Sequence, residues 1–437
     1  MGDRVWERRK KEAAPYRRRE PARTALYRIV SSELEDLERK WYERFEAEYG
    51  VLRSEVKETL DEYLDCGILA HGCARAECEN KECQHTILIP FSCKKRICPS
   101  CAAKRALIFS DHLHEEVFAA VPHHHIVFSL PKRLRIYIKY DRSLFDVLFR
   151  AAWESIKEFY SAVLPGVVPG AVLVAQSAGE SLNWNPHLHG CVSSGSFDES
   201  GNFHPIGKLN TEKLCELYMH KVLSAFKLLG LITDTIIAQI TTQVHSGFSV
   251  WVGEEIPAGD ESYRLFLGGY IDRGPVANSR LEIAENIVTY RTDKDDKIHE
   301  FSPLEFLARL TPHIARKWES TVRYMGYYSH RARGARKKRA THTTQQSLTI
   351  VPLPEEQKKK SSKAWAVLIK RVFELDPLLC ERCGSNMKIR EFITDTKKVK
   401  RLLESLGIPP LVKPEPIKAT APPDGITENI FDDLQYV

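Results

Sequence analysis

Seven of the chain's eleven cysteines fall between Cys66 and Cys101, and no other feature narrows the folding options so far. The N-terminus, Met1 to Lys11, is charged with no apolar segment behind it, which predicts a cytosolic (cytoplasmic) protein. There, clustered cysteines are metal ligands or free thiols rather than a disulfide framework. Cys78-x4-Cys83 is followed by Cys98-Pro-Ser-Cys101. Two such pairs offer tetrahedral Zn²⁺ four thiolates from two turns. Cys78, Cys83, Cys98 and Cys101 are therefore read as one closed, structural zinc site. Cys93 and His85 stand in reserve for Cys83 or Cys98, because the x4 gap is wide. Cys66 and Cys73 sit apart and read as core, as do Cys191 and Cys215. Cys380-x-x-Cys383 is half a site without partners nearby, readable equally as zinc ligands or a plain turn.

At 437 residues the chain is long enough for two to four domains. Its 43% hydrophobic and 28% charged residues describe an ordinary globular composition, and no apolar run approaches a membrane span. Texture divides it into a basic arm with N-terminal helices (1–55), a zinc-binding module (56–118), a central domain (119–345), and a linker, small CxxC module and loose tail (346–437). Strand-like runs at 123–130, 171–176, 187–193, 236–244 and 247–252 alternate with helical stretches at 143–163 and 211–229. A short helix is expected at 261–271. This pattern predicts an α+β fold, an antiparallel sheet with helices on one face.

Net charge is only +6, but cations cluster at 4–11, 17–19, 94–96, 331–339 and 358–363. Such runs beside cysteine motifs point to a polyanion, and without apolar flanks they favour nucleic acid over membrane. Lys94, Lys95 and Arg96 lie inside the cysteine module, where they would meet phosphates. Arg331, Arg333, Arg336, Lys337, Lys338 and Arg339, near Tyr324, Tyr327 and Tyr328, read as a single-strand contact with aromatics interleaved.

The triplet His187-Leu188-His189 follows a Ser/Asn/Gly/Pro-rich turn (179–186). On a strand its two imidazoles share a face while Leu188 points to the core. Paired imidazoles can hold a divalent metal such as Mg²⁺ or Mn²⁺, given a further protein ligand. With the hairpin turning near Leu182-Asn183, Gln176 falls opposite His189 and is the leading third ligand, with Glu180 behind it. Such a metal would grip a phosphate oxygen. A side-chain nucleophile could come from Tyr270, at the end of the short helix. A phenol with pKa near ~10 needs help from a cation or metal to attack, and Arg273 and Arg280 are close in sequence.

Several strings together resemble one family. They are 64–75 with Phe91-Ser-Cys-Lys-Lys-Arg-Ile-Cys-Pro-Ser-Cys101, His125-Ile-Val-Phe-Ser-Leu-Pro131, Asn185-Pro-His-Leu-His189, and Tyr270-Ile-Asp-Arg-Gly-Pro-Val-Ala-Asn-Ser-Arg-Leu281. Further matches are Phe301–Leu307, Val322–Gly326 and Asp376–Gly384. In this order, over about residues 22–395, they are similar to the rolling-circle, HUH-type transposases of the insertion-sequence ninety-one group. The resemblance implies a metal-dependent enzyme that nicks and rejoins single-stranded DNA. A tyrosine attacks the scissile phosphate, becomes linked to the 5′ end and frees a 3′ hydroxyl. Carried over, His187 and His189 hold the metal and Tyr270 is the nucleophile.

One departure stands out. Two-tyrosine members carry a second tyrosine four residues earlier, where this chain has Phe266. Either one tyrosine suffices, or Tyr263, two turns before Tyr270, takes the second role. Rival readings are a plasmid-type replication initiator or relaxase, a non-catalytic zinc DNA-binding regulator, and a zinc hydrolase that forms no covalent adduct.

Overall fold

The computed structural model describes residues 20–243, 245–258, 260, 269, 271–292, 296–344 and 379–409. Helix α1 (Ala25–Arg44) starts where the Thr24 side chain accepts from the Tyr27 amide. Its Leu26, Ile29, Val30, Leu34, Leu37 and Trp41 recur three and four apart, and all are buried. Helix α2 (Ser54–Leu64) packs on it, and strands β1 (Cys73–Cys78) and β2 (Thr86–Pro90) pair antiparallel. Helix α3 (Pro99–His112) then opens with proline in its first turn, where no amide donor is needed.

The central region runs β3 (His123–Ser129), α4 (Lys132–Tyr140), α5 (Phe145–Val163), β4 (Val168–Ala178), β5 (Trp184–Phe197), β6 (Phe203–Pro205), α6 (Thr211–Leu228), α7 (Asp234–Thr241) and β7 (Ser249–Ile256). A meander β8 (Leu281–Ala284), β9 (Ile287–Arg291), β10 (Ile298–Phe301) follows, then α8 (Pro303–Leu310), β11 (Val322–Gly326) and α9 (His330–Thr344). Strand β12 (Met387–Ile393) and helix α10 (Thr396–Ser405) form the C-terminal module. The architecture is α+β. Among the described residues no helix is long and apolar enough to cross a membrane.

The main sheet has the order β11-β4-β5-β3-β7, antiparallel throughout, with β6 on β5. Its long hairpin β4–β5 turns where the Gly179 amide donates to the Asn183 carbonyl, with Leu182 in the left-handed region. Period two divides each strand. Ile126, Phe128, Leu173, Ala175, Leu188 and Val192 face a core built with α4, α5, α6 and α7. Burying one such Phe or Leu contributes about 1.5–3 kcal/mol. The opposite face is covered in part by Phe109, Leu113, Val117, Ile271 and Tyr328, so helical cover is not confined to one side.

Two expectations shift. Residues 236–244 were expected to be a strand because Thr and Ile dominate, but 234–241 form α7, whose Ile236, Ile237 and Ile240 pack into the sheet-facing core. Residues 25–64 also share a core with 276–314 through α1, the β8–β10 meander and α8. That core crosses the textural boundaries at 55 and 118.

Candidate functional site

The face of the sheet opposite α4–α7 carries the paired histidines. On β5, His187 stands opposite Ser129 of β3 and Gln176 of β4, and His189 stands opposite Val127 and Val174. Gln176 thus shares a row with His187, one pleat from the expected partner His189. The two Nε2 atoms lie 3.0 Å apart. His187 Nδ1 donates to the Asn185 carbonyl at 2.6 Å, and His189 Nδ1 meets Nε2 of His125 on β3 at 3.1 Å. With Nδ1 protonated on both rings, both Nε2 lone pairs point at one place. Two nitrogens at about 2.1 Å from a divalent ion, about 90° apart, stand about 3.0 Å from each other. The pair therefore fits a metal.

Burial keeps these rings neutral, as metal ligation requires. It pushes His125 down to about 4. Burial, with the charges of His187, His125 and Arg273, takes His189 to about 2. His187 is lowered by burial first, then by Arg135 and Arg273. His125 stacks on His189 with ring centroids 5.3 Å apart and fixes which nitrogen that ring presents. Sequence reasoning passed over His125. The available signal was a histidine at alternate positions, 123 and 125, of the neighbouring strand.

Tyr270, Tyr263 and Phe266 lie outside the described residues. The chain immediately after Tyr270 is held on three sides. Gln176 Nε2 donates to the Ile271 carbonyl at 2.8 Å, and Ile271 is buried beside Val172 and Val174. Asp272 is 1% exposed and meets two guanidinium groups, Arg105 Nε at 2.9 Å and Arg96 Nη2 at 3.0 Å. A side chain at Gly274 would strike the Arg96 carbonyl (2.7 Å) and the Ala102 methyl (2.8 Å). The Asp-Arg-Gly run is thus the docking edge between the sheet and the cysteine-rich module.

That module is not wired as its spacing suggests. Cys98 and Cys101 join Cys66 and Cys93, whereas Cys78 and Cys83 join Cys380 and Cys383. In the first group Cys66 Sγ is 3.7 Å from Cys98 and 3.6 Å from Cys101, and Cys93 is 3.7 Å from Cys101. Four thiolates at about 2.3 Å from one zinc stand about 3.8 Å apart, so the geometry fits. The reading of Cys78, Cys83, Cys98 and Cys101 as one site is corrected by this exchange of partners. Cys66 is buried in the core, as expected, and is also a member of the first group, and Cys93 takes a place of its own. His85 binds Glu381 at 3.1 Å and joins neither group.

Residues 37–130 match the family model described as "Transposase zinc-binding domain", and residues 170–336 match the model described as "Putative transposase". The chain is 27% identical over 368 residues to the transposase for insertion sequence element IS801 of Pseudomonas savastanoi pv. phaseolicola, covering 78% of this chain and 84% of that protein. The chain is a transposase, similar to those of the insertion-sequence ninety-one family. No solved structure matches it. The zinc-binding model spans the whole first thiol group, and structural zinc belongs to the transposase through that module.

The transposase's cations divide into those bound internally and those facing outward. Arg96 is committed to Asp272. Arg333 is 9% exposed and donates to the Tyr328 and Glu116 carbonyls and to His330. Arg336 donates to the Tyr327 carbonyl and covers the Tyr327 ring at 3.6 Å. Burial and these bonds turn the three inward and correct their reading as DNA contacts. Lys95 is paired with Glu62, and Arg280 is half-buried with its charge felt at the Tyr290 phenol. Lys94, Arg273, Arg331, Lys337, Lys338 and Arg339 are exposed. Tyr328 is fully buried with its hydroxyl on His123 at 2.7 Å, and Tyr327 stacks on Phe197. Those two rings belong to the core rather than to a stacking platform.

Proposed function

We propose that this transposase nicks and rejoins single-stranded DNA through a 5′-phosphotyrosine at Tyr270, in rolling-circle-type transposition. The observation that carries the reading is the convergence of His187 and His189 Nε2 atoms on the sheet face where Gln176 grips the carbonyl next to Tyr270. His187 and His189 would hold Mg²⁺ or Mn²⁺, with the Gln176 amide oxygen as a third donor. When bound, the ion supplies Lewis-acid polarisation of the scissile phosphate.

The chain's own groups do the rest. Asn185 and His125 fix the two ring tautomers. Arg273, whose charge reaches both metal-site histidines, would meet the negative phosphate and favour phenolate at Tyr270. The Tyr270 oxygen attacks phosphorus, the P–O3′ bond breaks, and the 3′ oxygen leaves and takes up a proton. A second 3′ hydroxyl reverses the step and restores the phenol, so the bond energy is kept and no nucleotide is consumed. Tyr263 is the residue on which a second, staggered cleavage would fall. The exposed cations of α9, with Lys94, would carry the strand. The reading places the protein in the bacterial cytoplasm, on the nucleoid when bound to DNA.

Purified protein with Mn²⁺ and labelled single strands from the gene's flanks tests this on a denaturing gel. A metal-dependent covalent band that Tyr270→Phe abolishes and Tyr263→Phe leaves is the expected result. A band that survives Tyr270→Phe moves the nucleophile. No band with any flank returns the protein to the DNA-binding regulator reading.

A further inference from the structure

The second thiol group is assembled from the two ends of the described chain. Cys78 closes β1 and Cys83 sits in the following turn, while Cys380 and Cys383 belong to a turn ahead of β12. Cys78 Sγ lies 3.5 Å from Cys383 Sγ, and Cys83 Sγ lies 3.6 Å from Cys380 Sγ. A disulfide would need about 2.05 Å. The edges of a zinc tetrathiolate, at about 3.8 Å, fit instead. The family's zinc-binding match ends at residue 130, so it contains only half of this group.

The surroundings are built for ligation from both sides. The Gly384 amide donates to the Cys380 carbonyl, with Gly384 at φ +70°, and the Cys83 amide donates to the Asn80 carbonyl. Two tight turns thus aim four sulfurs inward. The halves are also stitched outside the sulfurs. The Glu79 amide donates to the Asn386 carbonyl at 2.8 Å, His85 meets Glu381, and Glu77 pairs with Arg390 at 3.2 Å. Strand β12 runs antiparallel to β1 from Cys73↔Ile393 to Cys78↔Met387, which makes a three-stranded sheet β12-β1-β2.

We infer that Cys78, Cys83, Cys380 and Cys383 hold a second zinc ion, which clasps the C-terminal module to the N-terminal one as the third strand of its sheet. The zinc-binding domain is therefore discontinuous, and its second site exists only when residues 379–393 are docked. The clasp is independent of the cleavage chemistry.

The test uses the full-length protein purified with zinc. Elemental analysis should find two zinc ions per wild-type chain, and one in Cys380→Ser/Cys383→Ser. Cys380→His, which keeps a zinc ligand, should retain two. Amide exchange in peptides covering 73–78 and 387–393 should quicken about tenfold or more in the serine variant and hold in the histidine variant. The β4–β5 hairpin should stay protected in both. One zinc per wild-type chain, two in the serine variant, or unchanged exchange in β1 and β12 would overturn the inference. Should the serine variant lose β4–β5 protection as well, the histidine variant decides, and a single zinc there also overturns it.

Discussion

Asp272→Ala is the substitution through which the docking of the Tyr270 segment can be measured. The carboxylate is 1% exposed and holds Arg96, itself 16% exposed, and Arg105, 44% exposed. Its removal leaves the Arg96 guanidinium buried without its counter-charge, which costs about 3–5 kcal/mol. Arg105 adds little, because an exposed cation is readily hydrated. Taking about 3 kcal/mol, local opening of 271–276 should become on the order of 100-fold more frequent. Hydrogen exchange of peptides covering 271–281 reads this directly and avoids treating so large a chain as two-state. Asp272→Asn should lie between wild type and alanine. Arg96→Ala/Asp272→Ala should open less than the sum of the single variants, because the double variant buries no lone charge. Strict additivity, or an Asp272→Ala change under about threefold, would refute the pinning argument.

Four further outcomes are expected. Gly190→Ala should cost about 1–3 kcal/mol in unfolding experiments, because a methyl would lie 2.5 Å from Leu173 and 3.1 Å from the Val172 carbonyl. His125→Ala should weaken Mn²⁺ binding, read by calorimetry, about 10- to 100-fold while the histidine pair itself remains. Arg331→Gln and Lys338→Gln should each lower the salt slope of single-strand binding by about 0.7, with Arg333→Gln acting on stability instead. Glu319 should contribute to acid unfolding. Burial would raise its pKa, but two hydrogen bonds from Arg142 at 2.8 Å, that residue's charge and the Arg316 amide hold it lowered. Its stabilisation is full above the unfolded carboxylate pKa near ~4.3 and is lost as pH falls through the folded value. Glu319→Gln should flatten that limb in a pH series of melting curves.

Local patterns in this chain were legible and long-range pairings were not. Period two and the turn residues at 179–183 specify the β4–β5 hairpin, and the His-Leu-His spacing sends both imidazoles to one face. The register error of one pleat at Gln176 came from the turn, whose closing bond at Gly179–Asn183 no composition fixes. Cysteine spacing shows which thiols share a turn, but which turns share a metal depends on tertiary docking. Hence Cys66, 27 residues before Cys93, and Cys380, 297 after Cys83, found partners that proximity in sequence could not name. Arg333 and Tyr328 read as surface groups because both have polar tips. Their polar atoms are satisfied inside, by carbonyls and by His123.

The interleaved wiring of the thiol groups has a consequence for synthesis. The ligands of the first group are complete once residue 101 has emerged from the ribosome. Cys78 and Cys83 have appeared by then, yet their partners follow almost 300 residues later. At about 5–20 residues per second the interval is about 15–60 s. Over that time the nascent chain carries two thiols and an open edge on β1, while the sheet that will bear the histidines is still being made. Maturation is thus ordered by translation: the first metal is taken up early, and the second arrives last, when β12 closes the edge.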